Sequence, residues 1–295
     1  MLHTRTRTAV LVFLLPPLML YLVAVVAPIV ASLVLSFFDW DGITSMRFAG
    51  LGNYAHMLAG DDIFWRAVVN SLVYLAINLL FQLGLALLLA NLLTYLRRGR
   101  ELVKTLYLLP AVVSTVAIAF LFQRIYSVEP RGLINQMLVS AGLDGLATAW
   151  LSNVGTALAA VSVPEAWRFT GLYMIILYAA MLAIPREIEE AARMDGASEW
   201  QIFRRIRFPY IRPVWITTAI MAATYSLRGF DIPYLLTNGG PGQATELLTT
   251  YMYKTAFTST NFGYASAIAV FIVIECVVAV GLILLSLRRR AGAVI

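Results

Sequence analysis

Charge is scarce in this chain. Asp, Glu, Lys and Arg together make up 13% of its 295 residues, against 60% hydrophobic, where a soluble domain carries about 25% charged residues. That balance excludes an ordinary soluble domain and marks an integral membrane protein. Cysteine occurs once, as Cys276 in an apolar run, so a disulfide framework is excluded. Lysine occurs only as Lys104 and Lys254. Neither closes a G-x-x-x-x-G-K-[ST] loop, so the chain has no Walker A cradle for ATP phosphates. His3 and His56 stand alone and, with one cysteine, offer no metal constellation. Neither G-x-S-x-G nor H-E-x-x-H occurs, which argues against a membrane-embedded enzyme and for no catalytic residues here. The net charge of +6 is not a nucleic-acid signal, because most cations flank apolar segments, where topology accounts for them. No series of short alternating strands is visible, which disfavours a membrane β-barrel. Low-complexity tracts and internal repeats are also missing.

What the chain does have is long apolar stretches. A spanning helix needs about 20 predominantly apolar residues, and six stretches qualify, at 10–36, 68–96, 102–126, 156–184, 214–236 and 263–287. The first follows Arg5 and Arg7 as a signal peptide would. Its apolar run exceeds the roughly 7–15 residues of such a segment, so a retained helix is expected, kinked or broken near Pro16, Pro17 and Pro28. With the N-terminus in the cytoplasm, Arg5, Arg7, Arg97, Arg98, Arg100, Lys104, Arg186, Arg193, Arg204, Arg205, Arg207, Arg212 and Arg288 to Arg290 all fall on that side. Only Arg47, Arg66, Arg131 and Lys254 fall clearly in outer loops. This bias places both termini inside. The outer loops, 37–67, 127–155 and 237–262, are too short for a substantial folded domain.

Between the fourth and fifth stretches lies the polar segment EEAARMDGASEWQIFRRIRFP, residues 189–209. Pro185 interrupts the fourth span and can supply a first helical turn. Glu187, Glu189 and Glu190 suit the positive end of a helix dipole. Gly196 is a natural helix stop. Ser198 and Gln201 have capping-box spacing for a second helix. In it Ile202, Phe203 and Ile206 share a face, while Arg204, Arg205 and Arg207 lie on others. Pro209 and Pro213 are expected to end the segment. A doubly capped hairpin is more than a connection needs, and a docking surface is expected.

The segment resembles the EAA motif of inner-membrane subunits of binding-protein-dependent ABC transporters. The matching residues are Glu190, Ala191, Ala192, Asp195, Gly196, Ala197, Ile206 and Pro209, with Phe208 where leucine is commoner. LTNGGP at 236–241, Thr245, Glu246, YMYKTAF at 251–257 and FAGLGNYAHML at 48–58 are similar to the carbohydrate-uptake branch, the maltose-type and glycerol-phosphate-type permeases. The resemblance covers nearly the whole chain, without the large outer domain of the bigger maltose-type subunit.

It implies an all-α membrane protein of six transmembrane helices, with a cytoplasmic coupling hairpin (186–209) and type I importer architecture, residues 1–295 forming one permease domain. It also implies a place in a bacterial cytoplasmic membrane, among its lipids. The partners implied are a cytoplasmic ATPase dimer that holds the ATP and Mg, a second homologous permease and an extracytoplasmic solute-binding protein. The substrate implied is a sugar, oligosaccharide or polyol phosphate. Glu190 would meet a basic residue of the ATPase, and Ile202, Phe203 and Ile206 would belong to the coupling surface.

Charges inside spans are costly and usually face a partner or a wet cavity. Glu165 with Arg168, and Arg228 with Asp231, are each spaced i, i+3, so mutual neutralisation on one helix face is the plainest expectation. Arg124 and Glu275 receive no role. Pro164 and Gly171 interrupt the fourth stretch, and Gly229 and Pro233 the fifth, as helices that line cavities often are. Anchored on Ile184-Pro185 and on LTNGGP, the maltose-type resemblance carries its sugar-contacting positions onto Arg168, Phe169, Leu172, Ala222, Tyr225, Ser226 and Gly229, with Trp167 beside them. An ion-gradient-driven secondary transporter also fits broken helices and buried charges, and a membrane sensor fits the hairpin. Neither accounts for the hairpin and the intramembrane polar groups together.

Overall fold

The computed structural model describes residues 2–96 and 98–288. Arg97, Arg289 and Arg290, counted above among the cytoplasmic cations, lie outside the described residues. The elements in order are α1 (Leu2–Tyr21), α2 (Ala27–Leu35), β1 (Phe38–Asp39), β2 (Arg47–Phe48), α3 (Gly52–Ala59), α4 (Asp62–Asn78), α5 (Gly84–Tyr95), α6 (Arg100–Val112), α7 (Thr115–Ile125) and α8 (Leu133–Ser140). There follow α9 (Val154–Leu182), α10 (Arg186–Met194), α11 (Glu199–Ile202), α12 (Phe208–Leu227), α13 (Asp231–Thr237), α14 (Leu248–Phe257) and α15 (Phe262–Arg288).

Among the described residues, three helical stretches are long and apolar enough to cross a membrane unbroken: Val12–Leu35, Asp62–Tyr95 and Phe262–Leu285. They match the first, second and sixth expected spans, so the chain is a multi-pass membrane protein. The first is continuous through Pro16 and Pro17, with a wide π-helical turn at Leu22–Val26 before α2. The expected break there is not present. The third stretch bends by 100° between α6 and α7. Pro110 removes a hydrogen bond from the last turn of α6, and Val113 then turns extended at φ −70°, ψ 142°. The fourth span, α9, bends by 74° into α10. The fifth stretch is divided into α12 and α13 at residues 228–230.

The chain falls into two compact units. In the smaller, residues 1–61 with 252–273, β1 and β2 pair antiparallel, Phe38 opposite Phe48. The Asn53 side-chain amide donates to the carbonyls of Ser36 and Phe38. Asp41 accepts from the amides of Ile43 and Thr44, tightening the loop between the strands. Its carboxyl is held below the usual range by those backbone bonds. Tyr264 donates to the Asp61 carboxylate.

In the larger unit, residues 62–251 with 274–295, α9 is the central helix, packed by α4, α5, α6 and α12. Lipid tails give no hydrophobic incentive for apolar helices to associate, so close contact between small residues must supply it. Ala157, Ala160, Ala166 and Gly171 are all buried along α9. Gly171 lies against the backbone of Tyr107 on α6 so closely that a Cβ there would overlap the Tyr107 carbonyl. Toward the end of α9 that leads into α10, Tyr173, Met174, Leu177 and Met181 pack with Ala86, Ala90 and Leu93 of α5 and with Ile211 of α12.

Candidate functional site

A cavity of about 610 Å³ opens between α9, α12 and the α12–α13 break. Its wall on α9 is Glu165, Arg168, Phe169, Leu172 and Tyr173. The facing wall is Ile220, Met221, Thr224 and Tyr225 of α12, followed by Arg228 to Pro233 across the break. The Phe169 and Tyr225 rings meet at 4.4 Å between centroids, forming an aromatic floor. At the break the Gly229 N–H donates to the Ser226 carbonyl at 3.0 Å, and the Gly229 carbonyl accepts from the Thr249 hydroxyl. The interrupted backbone is thus satisfied by protein, as irregular backbone at membrane depth must be.

Five of the eight pathway residues expected from sequence line this cavity: Arg168, Phe169, Leu172, Tyr225 and Gly229. Three do not. Trp167 precedes Arg168 by one residue, a rotation of about 100° around the helix, and packs edge-on against Phe122 at 5.7 Å instead. Ala222 and Ser226, four residues apart on one face of α12, are turned into the protein and fully or almost fully buried. The expected neutralising pairs do not form either, since among the described residues neither Glu165–Arg168 nor Arg228–Asp231 closes to salt-bridge distance. The guanidinium of Arg168 lies over the Phe169 ring at 5.0 Å. Arg228 caps the end of α12 while Asp231 opens α13, so the i, i+3 rule of a continuous helix does not apply to them. All four residues line the cavity, so two arginines and two acidic residues stand there beside aromatic rings. Tyr173 and Phe230, two further aromatic residues beside the interruptions, also line it, as does Thr224, which carried no signal in the sequence.

Below α9 stands the hairpin. Pro185 is the residue that caps α10 rather than its first turn, at φ −57°, ψ 131°. Gly196 takes φ +78°, its N–H donates to the Arg193 carbonyl, and the Ala197 N–H reaches the Ala192 carbonyl. This is the Schellman ending, which favours glycine in the left-handed position. Ser198 and Gln201 form the full reciprocal capping box. The helix does not end at Pro209 or Pro213. A π-helical turn at Phe203–Arg207 leads straight into α12, and this wider turn accommodates the missing N–H of Pro209.

The hairpin has two faces. Ile202 is fully buried, and Phe203 and Ile206 pack on the apolar cluster of α5, α9 and α12. Of these three, expected to belong to the coupling surface, Phe203 and Ile206 are half-buried and tie the hairpin to the spans, while Ile202 is enclosed. Glu190, Ala191, Asp195 and Gly196 are exposed, and Ala192 and Ala197 half-buried. Beside them Met194 is 88% exposed and Trp200 67% exposed. Two large apolar side chains on a charged hairpin suit insertion into a partner, and both were missed from sequence because neither belongs to a capping signal.

A polar network stiffens the arrangement. Arg207, 3% exposed, forms a two-pronged pair with Glu189, Nε to Oε1 and Nη2 to Oε2, both at 2.8 Å. Arg193 bridges Glu189 at 3.2 Å and Glu199 at 2.9 Å. Hydrogen bonds from Arg207 hold the Glu189 carboxyl below the usual glutamate range, and those from Arg193 do the same for Glu199. The bond to Glu189 holds the Arg207 guanidinium still more firmly protonated.

Known proteins share this sequence and this shape. Residues 82–292 match the family model of the binding-protein-dependent transport system inner membrane component. A probable ABC transporter permease protein of Bacillus subtilis (strain 168), YurN, is 37% identical over 88% of this chain and 89% of its own length. The lactose transport system permease protein LacF of Rhizobium radiobacter is 33% identical, covering 89% and 88%. The crystal structure of a bacterial ABC transporter involved in the import of the acidic polysaccharide alginate contains a chain that superposes with a TM-score of 0.83. That chain is 24% identical, with 97% of this chain and 96% of that one covered, and shares the fold. On the strength of the family match and of relatives at this identity across nearly their full length, the chain belongs to the inner membrane components of binding-protein-dependent ABC transport systems.

Proposed function

We propose that this permease forms half of the pathway of an ATP-driven importer for a sugar or oligosaccharide, or a related polyol phosphate, in a bacterial cytoplasmic membrane with both termini inside. The chain itself performs no catalysis. ATP and Mg sit on a cytoplasmic ATPase dimer, one copy of which receives the hairpin at Glu190, Ala191, Asp195 and Gly196, with Met194 and Trp200 as its apolar anchors. A second, homologous permease completes the pathway, and an extracytoplasmic binding protein delivers the substrate. ATP binding closes the ATPase dimer, shifts the hairpins and opens the cavity outward. Hydrolysis reverses the movement.

The observation that carries this reading is that one pair of helices, α9 and α12, bears the cavity and is joined by the hairpin. Aromatic faces beside hydrogen-bonding groups are the chemistry that sugars use, and the equal number of arginines and acidic residues in the cavity favours a neutral polyol over a strongly anionic ligand. The 33%-identical lactose permease points to the same class. The test is affinity purification of the tagged chain from its host in mild detergent. Recovery of an ATPase and a second permease, with ATP-dependent sugar uptake after reconstitution with the binding protein, is expected. Isolation of the chain alone, under conditions that keep a known importer intact, would refute the assignment.

A further inference from the structure

Three arginines stand in the second half of the hairpin, at 204, 205 and 207, and the structure treats one of them differently. Arg204 and Arg205 are exposed, whereas Arg207 is buried. The π-helical turn at Phe203–Arg207 inserts an extra residue into the helical register. Such turns re-aim side chains and recur at functional sites. Here the guanidinium fork divides between two elements. One prong pair holds Glu189 on α10. Nη1 donates to Asn91 Oδ1 at 2.9 Å and to the Tyr95 hydroxyl at 2.6 Å, both on α5. Tyr95 in turn donates to Glu199 Oε2 at 2.9 Å, and its ring lies 5.0 Å from the guanidinium carbon.

By covalent connection the hairpin belongs to α9 and α12 alone. Among the described residues, every hydrogen bond between it and α5 passes through this cluster. A buried guanidinium with carboxylate, amide and phenol partners is costly to separate, and its planar set of donors fixes direction as well as distance. We propose that Arg207 is a positioning residue that fastens the docking hairpin to the inner end of the second span, so that displacement of the hairpin moves α5 directly. The second span then follows the motor at first hand, and is not merely dragged by its packing on α9. This rests on the reading of the hairpin as the ATPase contact.

The test uses the assembled importer in lipid nanodiscs, in a Cys276→Ser background. An environment-sensitive fluorophore is placed either on the hairpin, at Glu187→Cys, or on the inner part of the second span, at Leu92→Cys. ATP–Mg is the probe added. In the otherwise unaltered chain both labels should shift. With Arg207→Gln the label at 187 should keep its shift and the label at 92 should lose it. A purely structural role would reduce the amount of assembled complex without separating the two labels. A second variant, Asn91→Ala with Tyr95→Phe, leaves the Glu189 pair in place and should give the same separation. Persistence of the shift at 92 in either assembled variant overturns the proposal, as does silence at 92 in the unaltered chain while 187 responds. If neither variant assembles, the cluster is a folding element and the proposal falls. Silence of the label at 187 in the unaltered chain removes the ATPase-docking reading itself, and this inference with it.

Discussion

Replacing Gly171 by alanine puts one methyl group where α9 and α6 touch. Built on the present backbone, that Cβ lies 1.8 Å from the Tyr107 carbonyl oxygen and 2.3 Å from the Tyr107 carbonyl carbon. Ordinary contact begins at 3.4 Å, so α6 must retreat by about 1.6 Å, because the obstacle is backbone and no rotamer can relieve it. Overpacking of this kind costs ~1–3 kcal/mol, and rigid main chain on both sides puts Gly171→Ala at the upper end. At ~2–4 °C per kcal/mol for a unit of this size, the melting temperature of the purified chain in detergent should fall by roughly 6–12 °C. Gly281→Ala is the control. Its Cβ meets nothing within 4 Å, and alanine in a helix interior gains ~0.5–1 kcal/mol over glycine, so its melting temperature should hold or rise. Because Gly171 sits two residues from Phe169 and one from Leu172 on the cavity wall, transport by Gly171→Ala should fall as well. Equal melting temperatures for the two variants would refute the close-approach argument.

Three other expectations concern the hairpin. Ser198→Ala removes the cap of α11 and should cost ~1 kcal/mol, visible as faster hydrogen exchange at the amide of Gln201 with the spans unchanged. Acidification should loosen the hairpin in a defined window. The Glu189 and Glu199 carboxyls titrate below their usual range in the folded chain. Their stabilisation is therefore complete above the unfolded value of about 4.3 and is lost as pH falls through the lower folded values. A spin label at residue 187 should keep constant mobility from neutral pH to that point and loosen only below it, and a transition near pH 7 would contradict the assignment. Trp200→Ala together with Met194→Ala should cost ~2 kcal/mol or more of ATPase affinity, the usual scale for a buried aromatic anchor. Co-purification of the ATPase should drop while the melting temperature of the chain stays put, and undiminished co-purification would show that the exposed face is not the docking face.

The sequence was most informative where structure is local. The Schellman ending at Gly196 and the capping box from Ser198 to Gln201 each depend on residues within five positions, and both are present. The cavity was partly legible, since Arg168, Phe169, Leu172, Tyr225 and Gly229 line it. What failed there was angular resolution, because Trp167 differs from Arg168 by a single helical step and helix phase at a given residue is set by neighbours far along the chain. The divided fifth stretch was signalled by Gly229 and Pro233, yet the pairing expected of Arg228 and Asp231 assumed a helix that the break removes. Pro209 misled as a stop because a π-helical turn is invisible to a 3.6-residue pattern. Nothing local distinguishes Arg207 from Arg204 or Arg205, since its partners Asn91 and Tyr95 come from another span.

The helix α9 runs from Val154 to Leu182, and the hairpin starts at Arg186. Phe169 on the cavity wall and Leu182 just before the bend are thus opposite ends of one rod, about 20 Å long at 1.5 Å per residue. A rod of this kind has a phase as well as a length. One residue inserted between Leu172 and Leu182 would turn the lower end by roughly 100° against the upper, aiming a sound hairpin away from its partner beneath a sound cavity. Four inserted residues would bring the phase back to within roughly 40° while lowering the hairpin by about 6 Å. This stretch is therefore a part whose residue count is fixed even where its residue identities are free.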